Sequence, residues 1–125
     1  MKISCVIPAF NEESTIINVI KNVKKVKVID EIIVVDDGSA DNTCKNAKSE
    51  RVRVIKHTQN KGKGAAIKTG VSHSLGDIIL FLDADLYSIS PKKIASILQP
   101  LENDEADFVK TSFTRARGRV TELVV

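Results

Sequence analysis

The chain reads as an α/β protein, an open and mostly parallel sheet with helices on both faces. Three observations point there. Short apolar runs rich in β-branched residues recur along the chain. Helical apolar spacings separate them. Acids, Asn and Gly gather just after the runs and are nearly absent within them.

The runs at residues 3–7, 32–35, 52–55 and 78–82, with a weaker one at 108–109, are bounded by Pro, Gly, Asn or Asp and predict five strands. Between them, Ile16, Ile17, Ile20 and Val23 recur at i, i+1, i+4, i+7, while Ile94, Ile97, Leu98 and Leu101 recur at i, i+3, i+4, i+7. The segment around Ala47 and residues 65–74 predict two shorter helices. Ser90 is expected to cap the last helix, with Pro91 in its first turn. The order is strand and helix in strict alternation, and near-continuous apolar strands imply burial on both faces, as in a parallel sheet covered by helices.

A length of 125 residues suits one domain with a single core. With 42% hydrophobic and 28% charged residues and no biased tract, the composition is that of a globular rather than a disordered chain. The 19 Lys and Arg exceed the 16 Asp and Glu by only +3, and the cluster Lys21, Lys24, Lys25 and Lys27 has no aromatic residues interleaved for base stacking. It reads as a solvated helix face, so no nucleic-acid partner is expected. Cys5 and Cys44 lack metal-ligand spacing and read as buried thiols, and His57 and His73 read as structural or solvent-facing. No apolar stretch approaches the roughly 18 residues a membrane span needs, and a cytoplasmic location is expected.

In open α/β sheets ligands bind beyond the carboxyl ends of the strands, where the strand order reverses. Here the exits read "PAFNEE", "DDGSADNT", "HTQNKGKG" and "DADL". Side chains two apart on an extended segment point to the same side, which places Asp83 and Asp85 together with their Cα atoms about 6.6 Å apart. Two carboxylates roughly 6 Å apart at an effective dielectric of about 20 repel by about 2.8 kcal/mol. A hard divalent cation with oxygen ligands, Mg²⁺ or Mn²⁺, relieves this, and such ions commonly complete their shell with substrate phosphates. The plain alternative is a pair of solvated acids capping the turn before Pro91.

Gly38 permits a tight turn after Asp36 and Asp37, and Asp37 is the acid expected to face a pocket and accept from a base edge or a ribose. Ser39 or Asp41 is expected to cap the following helix. In "NKGKG", from Asn60 to Gly64, backbone N–H groups approach an anion, with Lys63 as a point charge and a helix N-terminus behind it. It is neither a GxxxxGK[ST] loop nor a complete GxGxxG, since Ile67 occupies the last glycine position. Together the exits describe a pocket for a nucleoside diphosphate.

"VIPAFNEESTI", "VVDDGSADNT", "NKGKGAAIKTG" and "GDIILFLDADL", four ordered stretches over the first 90 or so residues, resemble the successive motifs of nucleotide-sugar glycosyltransferases of the GT-A fold, including family 2 and the dolichyl-phosphate mannose synthases. The terminal "FVKTSFTRARGRVTELVV" is similar to the segment after the acid motif in glucosyl-3-phosphoglycerate synthases. The resemblance implies metal-dependent transfer of a hexose, glucose in the narrower family, from a UDP- or GDP-sugar donor to a hydroxyl acceptor, 3-phosphoglycerate. It places Pro8, Ala9, Phe10 and Glu12 at the base and ribose, Asp37 at the base, and Gly62 and Lys63 at the diphosphate. Asp83 would meet the ribose or sugar, Asp85 the metal, and Gly118, Arg119 and Thr121 the acceptor's phosphate or carboxylate. Asp83, Asp85 and Lys63 would form the catalytic set. Many bacterial members carry Ser where Asp37 stands, which leaves UDP and GDP both open as donors.

The same resemblance makes residues 1–125 the donor-binding N-terminal half of a truncated GT-A domain, with the acceptor-binding half absent. An unfinished sheet leaves an edge that a second copy would pair with, so a homodimer is the expected self-association. Two other classes compete. A phosphoacceptor receiver domain would need its acid pair after the first strand and an Asp after the third, where this chain has Glu12 and Glu13, then His57. A non-catalytic nucleotide-sugar binding module fits the same residues as the enzyme.

Overall fold

The computed structural model describes residues 1–107, 109–114 and 120–124, with 110–114 and 120–124 as backbone. The elements run β1 (Ile3–Ala9), α1 (Ile16–Lys24), β2 (Glu31–Asp36), α2 (Thr43–Ser49), β3 (Arg53–Lys56), α3 (Lys63–His73), β4 (Ile78–Phe81), α4 (Pro91–Glu102), β5 (Lys110–Thr114) and β6 (Val120–Val124). They form one sheet in the order β3-β2-β1-β4-β6-β5. β1 pairs parallel with β2 and β4, and β2 parallel with β3. β6 runs antiparallel to both β4 and β5.

Alternation along β1 separates two cores. Ile3, Cys5, Ile7 and Ala9 face a layer that includes Ile16, Val19, Ile20 and Val23 of α1 and Ile94, Ile97, Leu98 and Leu101 of α4. Val6, with Ile33 and Val35 of β2, faces Ala66 of α3. Helices therefore cover both faces, as the apolar pattern requires. Burial on both faces holds along β1 and most of β2, but not along β3, whose residues are half-buried or exposed because it is an edge strand. Ser90 accepts from Lys93 N and Pro91 opens α4, as expected.

α3 sits unusually close to the sheet because its buried residues, Ala66 and Gly70, are small. A Cβ on Gly70 would stand 2.3 Å from Val6 Cγ1. That approach carries the N-terminus of α3 to the carboxyl ends of the central strands. Sequence order reverses about β1, whose neighbours are β2 and β4, so the crevice opens there. Pro8 lies beyond the last β1–β4 partner pair, Val6 with Phe81, so its missing N–H falls where that ladder has ended.

One element differs from expectation. The weak run at 108–109 is not a described strand; β5 begins at Lys110, and β6 follows as a sixth strand. Val109 packs against the core and Phe108 lies outside the described residues. These two strands form by pairing with each other, Lys110 opposite Val124 through Thr114 opposite Val120, so a local apolar run was a poor guide to them. Among the described residues no helix is long and apolar enough to cross a membrane.

Candidate functional site

The β1 and β2 exits are stitched together by side chains that satisfy loop N–H groups. Asn11 adopts φ +52, and its N–H donates to Ser39 Oγ at 2.8 Å while its Oδ1 accepts from Ala40 N at 2.9 Å. Glu12 N donates to Thr43 Oγ1 at 2.9 Å. Asp36, fully buried, accepts from Ser39 N and Ser39 Oγ. Asp41 Oδ1 accepts from Thr43 N at 2.9 Å, so Asp41 serves the start of α2, and Ser39 serves the loop instead. Hydrogen bonds from Thr43 and Glu13 outweigh the opposing effect of burial and hold the Asp41 carboxyl below the usual range.

The β2 and β3 exits cross at Gly38, which adopts φ +77. A Cβ there would lie 2.6 Å from both Asn60 N and Gln59 C, so only glycine lets the loops approach this closely. The approach delivers Asp37, 3% exposed, to the next loop. Asp37 Oδ1 accepts from Lys61 N at 2.9 Å and Oδ2 from Gly62 N at 2.8 Å. His57 Nδ1 stands 2.7 Å from the same Oδ1, and His57 Nε2 is 2.9 Å from Thr69 Oγ1 of α3. Burial alone would raise the Asp37 pKa, yet the His57, Lys61 and Gly62 hydrogen bonds hold it below the ordinary carboxylate value.

α3 starts at Lys63, with Gly62 at its N-cap, no side-chain cap and no acid in its own first turn, so its first N–H groups are not taken by a capping side chain of the helix. Lys63 Nζ reaches Asp83 Oδ1 at 2.6 Å. Asp83 and Asp85 do not lie on an extended segment: β4 ends at Phe81, and Leu86 N donates to Asp83 O at 3.1 Å, closing a turn. The same-side spacing and the repulsion worked from it therefore do not apply. Both acids nevertheless reach the same cavity, and the Lys63 ammonium offsets part of their charge.

That cavity, about 310 Å³, is lined by residues from all four parallel-strand exits. Pro8, Ala9, Phe10 and Glu12 come from the first, Asp37 from the second, Asn60, Gly62, Lys63 and Ala66 from the third, and Asp83, Ala84 and Asp85 from the fourth. All nine residues expected at the donor are gathered there. Phe10 is 46% exposed, a flat apolar surface open at the mouth. Gly118 and Arg119 lie outside the described residues; Thr121 stands opposite Phe113 in β6, and its side chain is likewise outside them.

In the sequence Asn60 is expected only as the start of the glycine loop, Ala66 and Ala84 carry no signal, and the partner of His57 is not foreseen. Of the two expectations for His57, structural or solvent-facing, the structure shows the first: it is buried against Asp37. Register brings the two together: Asp36 pairs with Lys56 across β2 and β3, so the residues that follow them, Asp37 and His57, emerge side by side. Cys5 and Cys44 are buried as expected, and burial pushes the Cys5 thiol up.

The acid turn offers carboxylate oxygens, the donors a hard divalent cation takes. Among the described residues no three His, Cys, Asp or Glu side chains converge into a cage. The donor set thus fits Mg²⁺ or Mn²⁺ held by one or two carboxylates with phosphate and water completing the shell, and does not fit a self-sufficient metal centre.

Comparison with known proteins agrees with this geometry. The chain is 40% identical to the UDP-N-acetylglucosamine–dolichyl-phosphate N-acetylglucosaminyltransferase of Methanococcus voltae, over 83% of this chain and 49% of that protein. It is 34% identical to the glucosyl-3-phosphoglycerate synthase of Mycobacterium tuberculosis, over 98% of this chain and 45% of the relative. The chain therefore spans about half the length of these relatives. A crystal structure of the M. tuberculosis synthase with Mn²⁺, UDP and phosphoglyceric acid superposes with a TM-score of 0.74 at 36% identity, covering 80% of this chain and 38% of that one. The same synthase has also been solved with Mg²⁺ and UDP. These matches confirm the GT-A type of α/β fold expected from the motifs. The family model for glycosyl transferase family 2 matches residues 4–124, and the chain belongs to that family.

Proposed function

We propose that this chain is the donor-binding part of an enzyme that moves glucose from UDP-glucose to 3-phosphoglycerate. The observation that carries the reading is the single cavity where the acid turn, the glycine loop at the start of α3 and the Asp37 carboxylate converge. Pro8, Ala9 and Phe10 supply an apolar wall for a base. Asp37, with three donors already on it, keeps acceptor capacity for one ring N–H, which uracil and guanine both present. Glu12 lies at the same mouth, where a ribose hydroxyl can donate to it.

The first-turn N–H groups of α3 and the Lys63 ammonium face the diphosphate, and charge that grows on the leaving group is met by donors already in place. Lys63 is 61% exposed, so releasing Asp83 for a phosphate costs only about 0–1 kcal/mol. Asp83 is then left to accept from ribose or sugar hydroxyls. Asp85 would hold Mg²⁺ or Mn²⁺, which when bound supplies Lewis-acid neutralisation of the departing diphosphate.

UDP is favoured over GDP by the name of the M. voltae transferase and by the UDP in the crystal structures of the M. tuberculosis synthase, and 3-phosphoglycerate by the terminal "GRVTEL" and the 98% coverage against the synthase. The higher identity to the dolichyl-phosphate transferase favours a second reading with a lipid phosphate acceptor. Calorimetry on this chain with UDP-glucose and GDP-glucose, with and without Mn²⁺, tests the donor. Asp85→Ala is expected to abolish the metal-dependent part of the affinity, and an unchanged affinity would undo its assignment. On the full-length product, UDP release that depends on 3-phosphoglycerate supports the first reading. Dependence on dolichyl phosphate replaces it with the second.

A further inference from the structure

We propose that His57 is a positioning residue for the diphosphate end of the cavity: it locks Asp37, and through Asp37 the backbone of Lys61 and Gly62, so that the first turn of α3 is presented to a diphosphate. The assignment rests on the nucleotide-sugar reading above.

His57 is 8% exposed and does not itself line the cavity, whereas Asp37 does. It stands behind the carboxylate. An ionised carboxylate only accepts, so the 2.7 Å contact requires the proton on Nδ1, and Nε2 is left to exchange a hydrogen bond with Thr69 Oγ1 at 2.9 Å. These contacts close a ring. It runs from Asp37 after β2 to His57 after β3, across to Thr69 in the second turn of α3, back along the helix to Gly62, and from Gly62 N to Asp37 Oδ2 at 2.8 Å. His57 N also donates to Asp36 O at 2.8 Å, so the imidazole is tied to β2 by backbone as well as side chain.

The ring answers a local need. Gly62 adopts φ +97 with nothing within 4 Å of where a Cβ would be, so packing does not hold this residue. A glycine in open space has broad conformational freedom. The two N–H bonds to Asp37 restrict it, and Asp37 can hold them only while its own rotamer is fixed. Of the contacts on Asp37, His57 supplies the one from a side chain anchored in two other elements. Loss of that contact leaves the acid able to turn and the loop, whose Lys61 and Gly62 N–H groups bond Asp37, free to change the angle at which it leads into the first turn of α3. A base contact at Asp37 depends less on the loop, because it needs only an accessible oxygen.

The test separates a diphosphate from a base. Affinities for uridine and for UDP with Mn²⁺ are measured by calorimetry on the wild-type chain, His57→Asn, His57→Leu and Thr69→Val, with thermal unfolding alongside. The ratio of the uridine and UDP dissociation constants isolates what the diphosphate adds. His57→Leu is expected to cut that ratio at least fivefold while changing uridine affinity less than twofold. His57→Asn, whose amide can donate from the Nδ1 position, is expected to stay within about twofold of wild type in both. If His57→Leu does not fold, Thr69→Val, which removes only the outer hydrogen bond, is expected to cut the ratio two- to threefold. Equal losses for uridine and UDP, or no change in the ratio, overturn the assignment and leave the donor reading standing. Failure of the wild-type chain to bind UDP at all overturns the donor reading and this assignment together.

Discussion

Replacing Gly38 with alanine probes the crossing of the β2 and β3 exits, on which the Asp37 geometry depends. The residue has φ +77, where an L side chain costs roughly 1–2 kcal/mol. The new Cβ would sit 2.6 Å from Asn60 N and Gln59 C, both backbone atoms that cannot rotate away. Forced overpacking of this kind costs about 1–3 kcal/mol. The sum, roughly 2–5 kcal/mol, is a large share of a typical domain stability of about 5–15 kcal/mol.

Relief to an ordinary contact near 3.4 Å would move the Gln59 and Asn60 backbone back by about 0.8 Å, the difference from 2.6 Å. The adjacent Lys61 N, now 2.9 Å from Asp37 Oδ1, would then fall outside hydrogen-bond range. Urea unfolding and UDP calorimetry should show both losses. Gly64→Ala is the matched control for stability: its Cβ meets nothing within 4 Å, and replacing a glycine in the first turn of α3 should cost nothing and stabilise by at most about 0.5–1 kcal/mol. A Gly38→Ala chain within about 0.5 kcal/mol of wild type, with unchanged UDP affinity, would refute the reasoning.

Gly70→Ala should destabilise by about 1–3 kcal/mol, since its Cβ would meet Val6 Cγ1 at 2.3 Å, and much of that cost should vanish in a Val6→Ala background. A double-mutant cycle in urea measures the coupling, and additive effects would mean that α3 does not need this close approach. The lowered pKa of Asp37 makes a pH prediction. The unfolded carboxyl binds its proton more readily, so the stabilisation from ionised Asp37 is complete above its ordinary value of 3.8 and is lost as pH falls through the lower folded value. The gap in unfolding free energy between wild type and Asp37→Asn should therefore be steady near neutrality and shrink below about pH 3.8; a gap that holds at pH 3 contradicts it.

Much of this protein is decided by local chemistry and is legible in its residues. β-branched runs and 3.6-residue spacings mark the four parallel strands and four helices because burial of one face is a local pattern. Asp37, Lys63, Asp83 and Asp85 stand out because acids and glycines interrupt that pattern at strand exits. Strand order is not local: that β1 lies between β2 and β4 comes from packing two helical layers on one sheet, and with the loop crossing at Gly38 it turns four separated exits into one cavity. The turn at Asp83, the β5–β6 pairing and the burial of His57 against Asp37 likewise depend on partners far along the chain. The sequence by itself determined which polar residues stand at the strand exits; the tertiary structure decided which of them meet in one cavity, because hydrogen-bond partners and close approaches between loops exist only once the sheet has brought its strands into register.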